Sequence, residues 1–173
     1  MNRFMALAVI LGPAAFHCLS ADLTQQAERG KAIFFDASKK THCSTCHRLG
    51  NEGTAIGPDL TKIARIAPKA FEISMLSTRT VYAKELEMKG RHKYPAMIVS
   101  EEGKEVTFFN LSQIPPEKMV VERSSIYAIR DNATWKHPPE STGYTKEQIA
   151  DVIAFIRFTA FGDTNPVDPA SLK

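Results

Sequence analysis

The 173-residue chain contains few cysteines and little net charge. Its three cysteines are Cys18, Cys43 and Cys46, so no second cysteine pair is present to complete the four-ligand set of a structural zinc site. Strands and helices do not alternate around residues 43–46, which argues against a thioredoxin-like redox motif. The 22 Lys and Arg residues against 19 Asp and Glu residues give a formal charge of +3, too little to predict the basic patch of a nucleic-acid-binding protein.

The chain also lacks an apolar run long enough for a stable membrane span. The N-terminal apolar stretch extends only from Phe4 to Phe16, whereas a spanning helix needs about 20 such residues. Arg3 precedes this stretch and small residues follow it at 20 and 21, as in a secretory signal. We therefore predict a signal peptide over residues 1–21, export to the periplasm, and a single domain over 22–173. A lipid anchor on Cys18 is a less favoured alternative, because residues 15–17 match a lipobox poorly.

The pentapeptide CSTCH at residues 43–47 is the strongest chemical motif in the chain. Two thiols separated by two residues can each add to a vinyl group of a haem, while the next side chain binds the iron. A plain disulfide between Cys43 and Cys46 would leave His47 without a role. Covalent haem attachment in bacteria follows export, so the motif and the predicted signal agree on the compartment. The sequence thus predicts one covalently bound haem c, with His47 as the proximal iron ligand.

Two helices are predicted near the ends of the mature chain. A capping residue at position 22 or 24 begins the first, which carries apolar residues as far as Phe34. Thr145, with Gln148 three residues later, forms a capping-box pattern ahead of isoleucine and valine residues at helical spacing. Gly162 is expected to end this second helix.

The middle of the chain reads as β-rich, from about residue 80 to 125. Short strand patterns occur at 81–88, 94–100, 105–110 and 119–122. Three or four such strands would form a small sheet or barrel-like module inserted between the haem motif and the last helix. The module is expected to serve either as a docking surface or as a flap over a haem edge, and the sequence leaves both open.

These features together resemble class I cytochrome c. The resemblance rests on Gly30, Phe34, the haem motif, the segment GPDL at 57–60 and Phe155 in the last helix. It implies a mainly α cytochrome c fold, here with the inserted β-sheet module, in which the terminal helices cross at Gly30 beside Phe155. It also implies that the Pro58 carbonyl accepts a hydrogen bond from the His47 ring and so orients it. The insertion is similar to that of a subgroup of bacterial c-type haem domains found fused to larger redox enzymes.

The sixth iron ligand is the main open question about the site. Class I cytochromes place a Met-Pro pair shortly before the last helix, and this chain has His137 followed by Pro138 there. Imidazole is a competent ligand, and the proline biases its neighbour away from helix. We therefore predict His137 as the distal ligand. The alternatives are an open or water-bound position and the four candidate methionines, Met75, Met88, Met97 and Met119.

The predicted function is single-electron transfer between redox partner proteins, without catalytic residues and without nucleic acid. Two imidazoles stabilise ferric iron better than a His/Met pair does, so a low potential is expected. One alternative is a peroxidase-like haem enzyme, which requires an open or displaceable sixth position. Others are a haem-based sensor and the haem subunit of a larger dehydrogenase. The sequence does not predict an oligomeric state.

Overall fold

The computed structural model describes residues 24–76, 82–139 and 142–172. The predicted signal peptide and Cys18 lie outside the described residues. Within the described ranges the helices are α1 (Gln25–Phe34), α2 (Cys43–Cys46), α3 (Leu60–Ile63), α4 (Pro68–Leu76) and α5 (Lys146–Phe161). The strands are β1 (Arg48–Leu49), β2 (Glu52–Gly53), β3 (Lys84–Met88), β4 (Lys93–Glu102), β5 (Glu105–Asn110), β6 (Glu117–Glu122) and β7 (Ile126–Asp131). No helix in these ranges is long and apolar enough to cross a membrane.

The prediction of a mainly α fold was wrong. Five of the strands form one antiparallel sheet in the order β6-β5-β4-β3-β7, while α2 and α3 are only one turn long. The last strand, β7, lies beyond the predicted insertion. The strands β3 to β6 overlap the predicted strand patterns, whereas β7 has no predicted counterpart. This strand pairs with β3, and Arg130 of β7 forms an ion pair with Glu87 of β3. Because a local pattern contains little information on so distant a partner, the sequence underestimated the strand content.

The two terminal helices form as predicted and cross at Gly30. The Thr24 side chain caps α1, and Thr145 and Gln148 form a reciprocal capping box at the start of α5. A Cβ atom at Gly30 would lie 2.0 Å from the Asp151 carbonyl oxygen, so only glycine permits this approach. The α5 helix ends at Gly162 in the left-handed conformation that favours glycine.

The five-stranded sheet curls around an apolar interior of its own. Only Arg123–Ser125 separates β6 from β7, although these strands lie at opposite ends of the sheet order. Four strand spacings in a flat sheet would measure about 19 Å. The connection reaches about 14 Å even when extended, so the sheet bends toward closure. The buried residues inside this curve are Leu86, Ala96, Val106, Phe108 and Ile126.

Candidate haem-binding site

A cavity of about 400 Å³ lies where the helices meet the curled sheet. Its walls are mainly apolar and come from α2, α3, α4, α5 and β4, from the segment before α5, and from the loop between β5 and β6. The residues of the haem motif that line it are Cys43, Cys46 and His47. The same cavity is lined by Trp135, His137 and Pro138, which lie in the segment before α5. The fold therefore brings together two segments separated by about ninety residues.

The α2 helix places both cysteines beside the cavity. Cys43 and Cys46 begin and end this single turn, half-buried and with free thiols. Burial raises the pKa of each thiol to about 11, so both are protonated near neutral pH. A protonated thiol is the group that adds across a vinyl double bond to form a thioether. The pair thus fits the attachment of a haem, and the structure contains no disulfide between them.

Several contacts hold the His47 ring in one orientation. Its Nδ1 donates a hydrogen bond to the Pro58 carbonyl oxygen at 2.8 Å, as the resemblance implied. Gly57 lies against the ring face, where an added Cβ would come within 2.7 Å of His47 Cε1. The backbone N–H of His47 also bonds to the Cys43 carbonyl at 2.9 Å. With the proton on Nδ1, the Nε2 atom is free to bind a metal ion.

His137 faces His47 across the cavity. Their ring centroids lie 6.2 Å apart, with 26° between the ring planes. An imidazole nitrogen lies about 2.0–2.1 Å from a bound ion such as zinc and about 1.1 Å from its own ring centre, so two rings binding one ion from opposite sides have centres about 6.3 Å apart. Burial lowers the pKa of both rings, and the neighbouring His47 lowers that of His137 further. Both rings are therefore neutral near pH 7, the form that binds iron.

The four candidate methionines fall into two groups. Met75 and Met97 line the cavity. Met88 and Met119 pack against the apolar interior of the sheet instead. The sheet geometry thus separates the two strand methionines Met97 and Met119, which local sequence patterns did not distinguish.

One wall of the cavity comes from residues that the sequence did not mark as part of a site. These are Leu111, Gln113, Ile114 and Pro116, which follow β5 and lie beside the candidate Met97. No local pattern identifies them, because they reach the cavity only through the return of the sheet. The insertion therefore contributes one wall of the cavity.

The polar atoms of the cavity also fit a prosthetic group. Thr41 is only 3% exposed and lines the cavity, yet its Oγ1 has no hydrogen-bond partner among the described residues. Such a buried hydroxyl normally has a partner, and an occupant of the cavity would supply one. The thiol pair, the facing imidazoles and the apolar walls together fit a covalently attached haem.

This combination of groups is typical of c-type haem proteins. Residues 27–112 match the family model described as Cytochrome c, which covers close to half of the chain. The match indicates a cytochrome c domain over these residues, and it supports a haem-binding electron-transfer protein. Such a domain implies covalently bound haem c and redox partners. No curated protein matches the chain. The family match begins in α1 and ends before His137, so it carries no information on the distal ligand.

Proposed function

We propose that this chain is a periplasmic mono-haem cytochrome c that transfers single electrons between redox partner proteins. Cys43 and Cys46 attach the haem, and His47 and His137 bind its iron from opposite sides. Periplasmic location is supported by the signal pattern at residues 1–21 and by the need of c-type haem attachment for export. The single CSTCH motif in the sequence supports one haem per chain.

The observation that carries the ligand assignment is the 6.2 Å separation of the two facing rings. It agrees with the spacing of about 6.3 Å worked out above for two imidazoles on one ion. Met75 and Met97 share the cavity, but His137 occupies the loop position before α5, followed by Pro138, where class I cytochromes place their distal ligand. Two imidazole ligands fill both axial positions, and this favours electron transfer over the activation of a substrate at the iron.

The residues of the site predict a low reduction potential. The bond from His47 Nδ1 to the Pro58 carbonyl increases electron donation by the ring, which stabilises ferric iron. A second imidazole acts in the same direction. The apolar walls from α4, α5 and the sheet keep water from the haem, and its edge is the route for electrons to a partner.

Optical and electron paramagnetic resonance spectra of the purified haem-loaded protein test the proposal. We expect low-spin ferric spectra without the near-infrared band of sulfur-to-iron ligation. The His137→Ala variant should become high-spin, and His137→Met should gain the sulfur band with a higher potential. Met97→Leu and Met75→Leu serve as matched controls and should leave the spectra unchanged.

The contrary results are equally specific. A sulfur band in the wild type that disappears in Met97→Leu or Met75→Leu would assign the ligand to that methionine. More than one haem per polypeptide by mass would contradict the stoichiometry. Retention of the whole chain in the cytoplasm would contradict the predicted export, and cleavage elsewhere than after residue 21 would contradict the predicted end of the signal peptide.

A further inference from the structure

We propose that His137 is a displaceable ligand, so that the distal side of the haem binds a small uncharged ligand such as carbon monoxide or nitric oxide. The inference rests on the function proposed above, because it requires His137 to bind the iron in the resting protein. It extends that function, since a carrier with a displaceable ligand can also respond to a gas.

The two facing histidines are held very differently, and His47 is the firmly held one. Its ring nitrogen bonds to Pro58 at 2.8 Å, and its ring lies against Gly57. Its backbone is also packed tightly, because a Cβ at Gly53 would lie 2.2 Å from the His47 carbonyl oxygen. Covalent attachment through the adjacent Cys46 would fix this side further.

His137 has no comparable hydrogen bond. Its Nδ1 is buried, and the described part of the chain offers that atom no partner. When Nε2 binds iron, Nδ1 must carry the proton, so a buried donor remains unpaired. An unpaired buried donor weakens the bound arrangement relative to one in which the ring turns toward water. The iron-bound form of His137 is thus less favoured than that of His47.

The backbone on the N-terminal side of His137 has few restraints. The Thr134 N–H bonds to the Asn132 side chain at 3.2 Å. Between described residues, no backbone–backbone hydrogen bond involves Trp135, Lys136 or His137. These three residues can therefore shift without breaking a backbone hydrogen bond of a helix or strand.

Trp135 packs against the His137 ring. The two ring centroids lie 5.2 Å apart at 59°, in the range of favourable aromatic contacts. Trp135 is half-buried, and it is the lone tryptophan of the chain. Displacement breaks the bond from His137 Nε2 to iron and forms one from the incoming ligand, with no change in oxidation state. The mainly apolar cavity walls favour an uncharged ligand over an anion.

Carbon monoxide binding to the ferrous haem-loaded protein tests this inference. We expect the rate of binding to rise with carbon monoxide concentration and then to saturate at the rate at which His137 leaves. Trp135→Ala should raise this limiting rate by about threefold to tenfold, from the usual worth of an aromatic pair. Trp135→Phe retains a ring and is the matched control, with a smaller change. His137→Ala should bind without saturation.

The outcomes separate this inference from the proposed function. If the wild type takes up no carbon monoxide over hours while His137→Ala binds it at once, His137 is the ligand but is not displaceable, and the inference is overturned. If Trp135→Ala binds no faster than Trp135→Phe or the wild type, the packing argument is overturned. If His137→Ala keeps the low-spin ferric spectrum of the wild type, the ligand assignment in the proposed function fails instead.

Discussion

Replacing Gly57 by alanine should disturb the proximal histidine directly. The new Cβ would lie 2.7 Å from Cε1 and 3.0 Å from Nδ1 of His47. The backbone of residue 57 cannot retreat, because its N–H bonds to the Cys46 carbonyl at 2.7 Å. The His47 ring must therefore move, by about 0.7 Å or more to reach ordinary van der Waals contact.

The hydrogen bond between His47 and Pro58 sets the size of the effect. That bond is 2.8 Å long, and movement of the ring away from residue 57 bends the bond out of the ring plane and so weakens it. A net hydrogen-bond contribution of about 0.5–1.5 kcal/mol, if it acts wholly on the ferric state, corresponds to about 20–60 mV for one electron. Because the ring then donates less charge to the iron, the potential should rise. Overpacking should also lower the free energy of unfolding by about 1–3 kcal/mol.

Redox titration and denaturant unfolding of the haem-loaded protein measure these two quantities. Gly90→Ala is the matched control, since a Cβ at residue 90 meets no atom within 4 Å. It should leave both the potential and the unfolding midpoint near the wild-type values. A Gly57→Ala variant with wild-type potential and stability would refute the packing of His47 against residue 57.

Three further changes test the frame around the site. Gly30→Ala should lower the free energy of unfolding by about 1–3 kcal/mol or more, despite the better helix propensity of alanine, because the Asp151 backbone lies in the way. Thr145→Ala should cost about 1 kcal/mol, since the capping box at the start of α5 is lost. A hydrogen bond from Arg130 lowers the pKa of Glu87 below its ordinary value of 4.5. The ionised carboxylate therefore stabilises the folded protein at pH values above 4.5. This stabilisation is lost as the pH falls through the pKa that Glu87 has in the folded protein. Glu87→Gln should therefore lower the thermal midpoint at pH 6, and by less near pH 3.

Controls for these changes come from the same chain. Thr145→Ser retains the capping hydroxyl and should unfold near the wild type. A Gly30→Ala protein as stable as Gly90→Ala would contradict the close crossing of α1 and α5. An equal loss of thermal midpoint at pH 6 and pH 3 in Glu87→Gln would show that the Arg130 hydrogen bond does not depend on ionisation.

Local sequence patterns predicted the parts of the fold that depend on neighbours in the chain. Both terminal helices follow from capping residues and apolar spacing, and both are present in the structure. The strand content was underestimated, because β7 depends on pairing with β3, which is distant in the chain. A strand is stabilised by its partners across the sheet, and a local pattern contains little information on them.

The sequence by itself determined the chemistry that belongs to contiguous residues: the CSTCH motif with its two thiols and histidine, the GPDL segment that follows, and the caps of the terminal helices. These need only short spacings along one chain. The tertiary structure alone decided that His137 faces His47 at 6.2 Å, that Met97 and not Met119 lines the cavity, and that the inserted sheet forms one of its walls. Each of these depends on the packing of distant segments. The same is true of the hydrogen bonding of the two histidines, since His47 Nδ1 has a partner and His137 Nδ1 has none among the described residues. A side chain meets its hydrogen-bond partner only after the fold has formed.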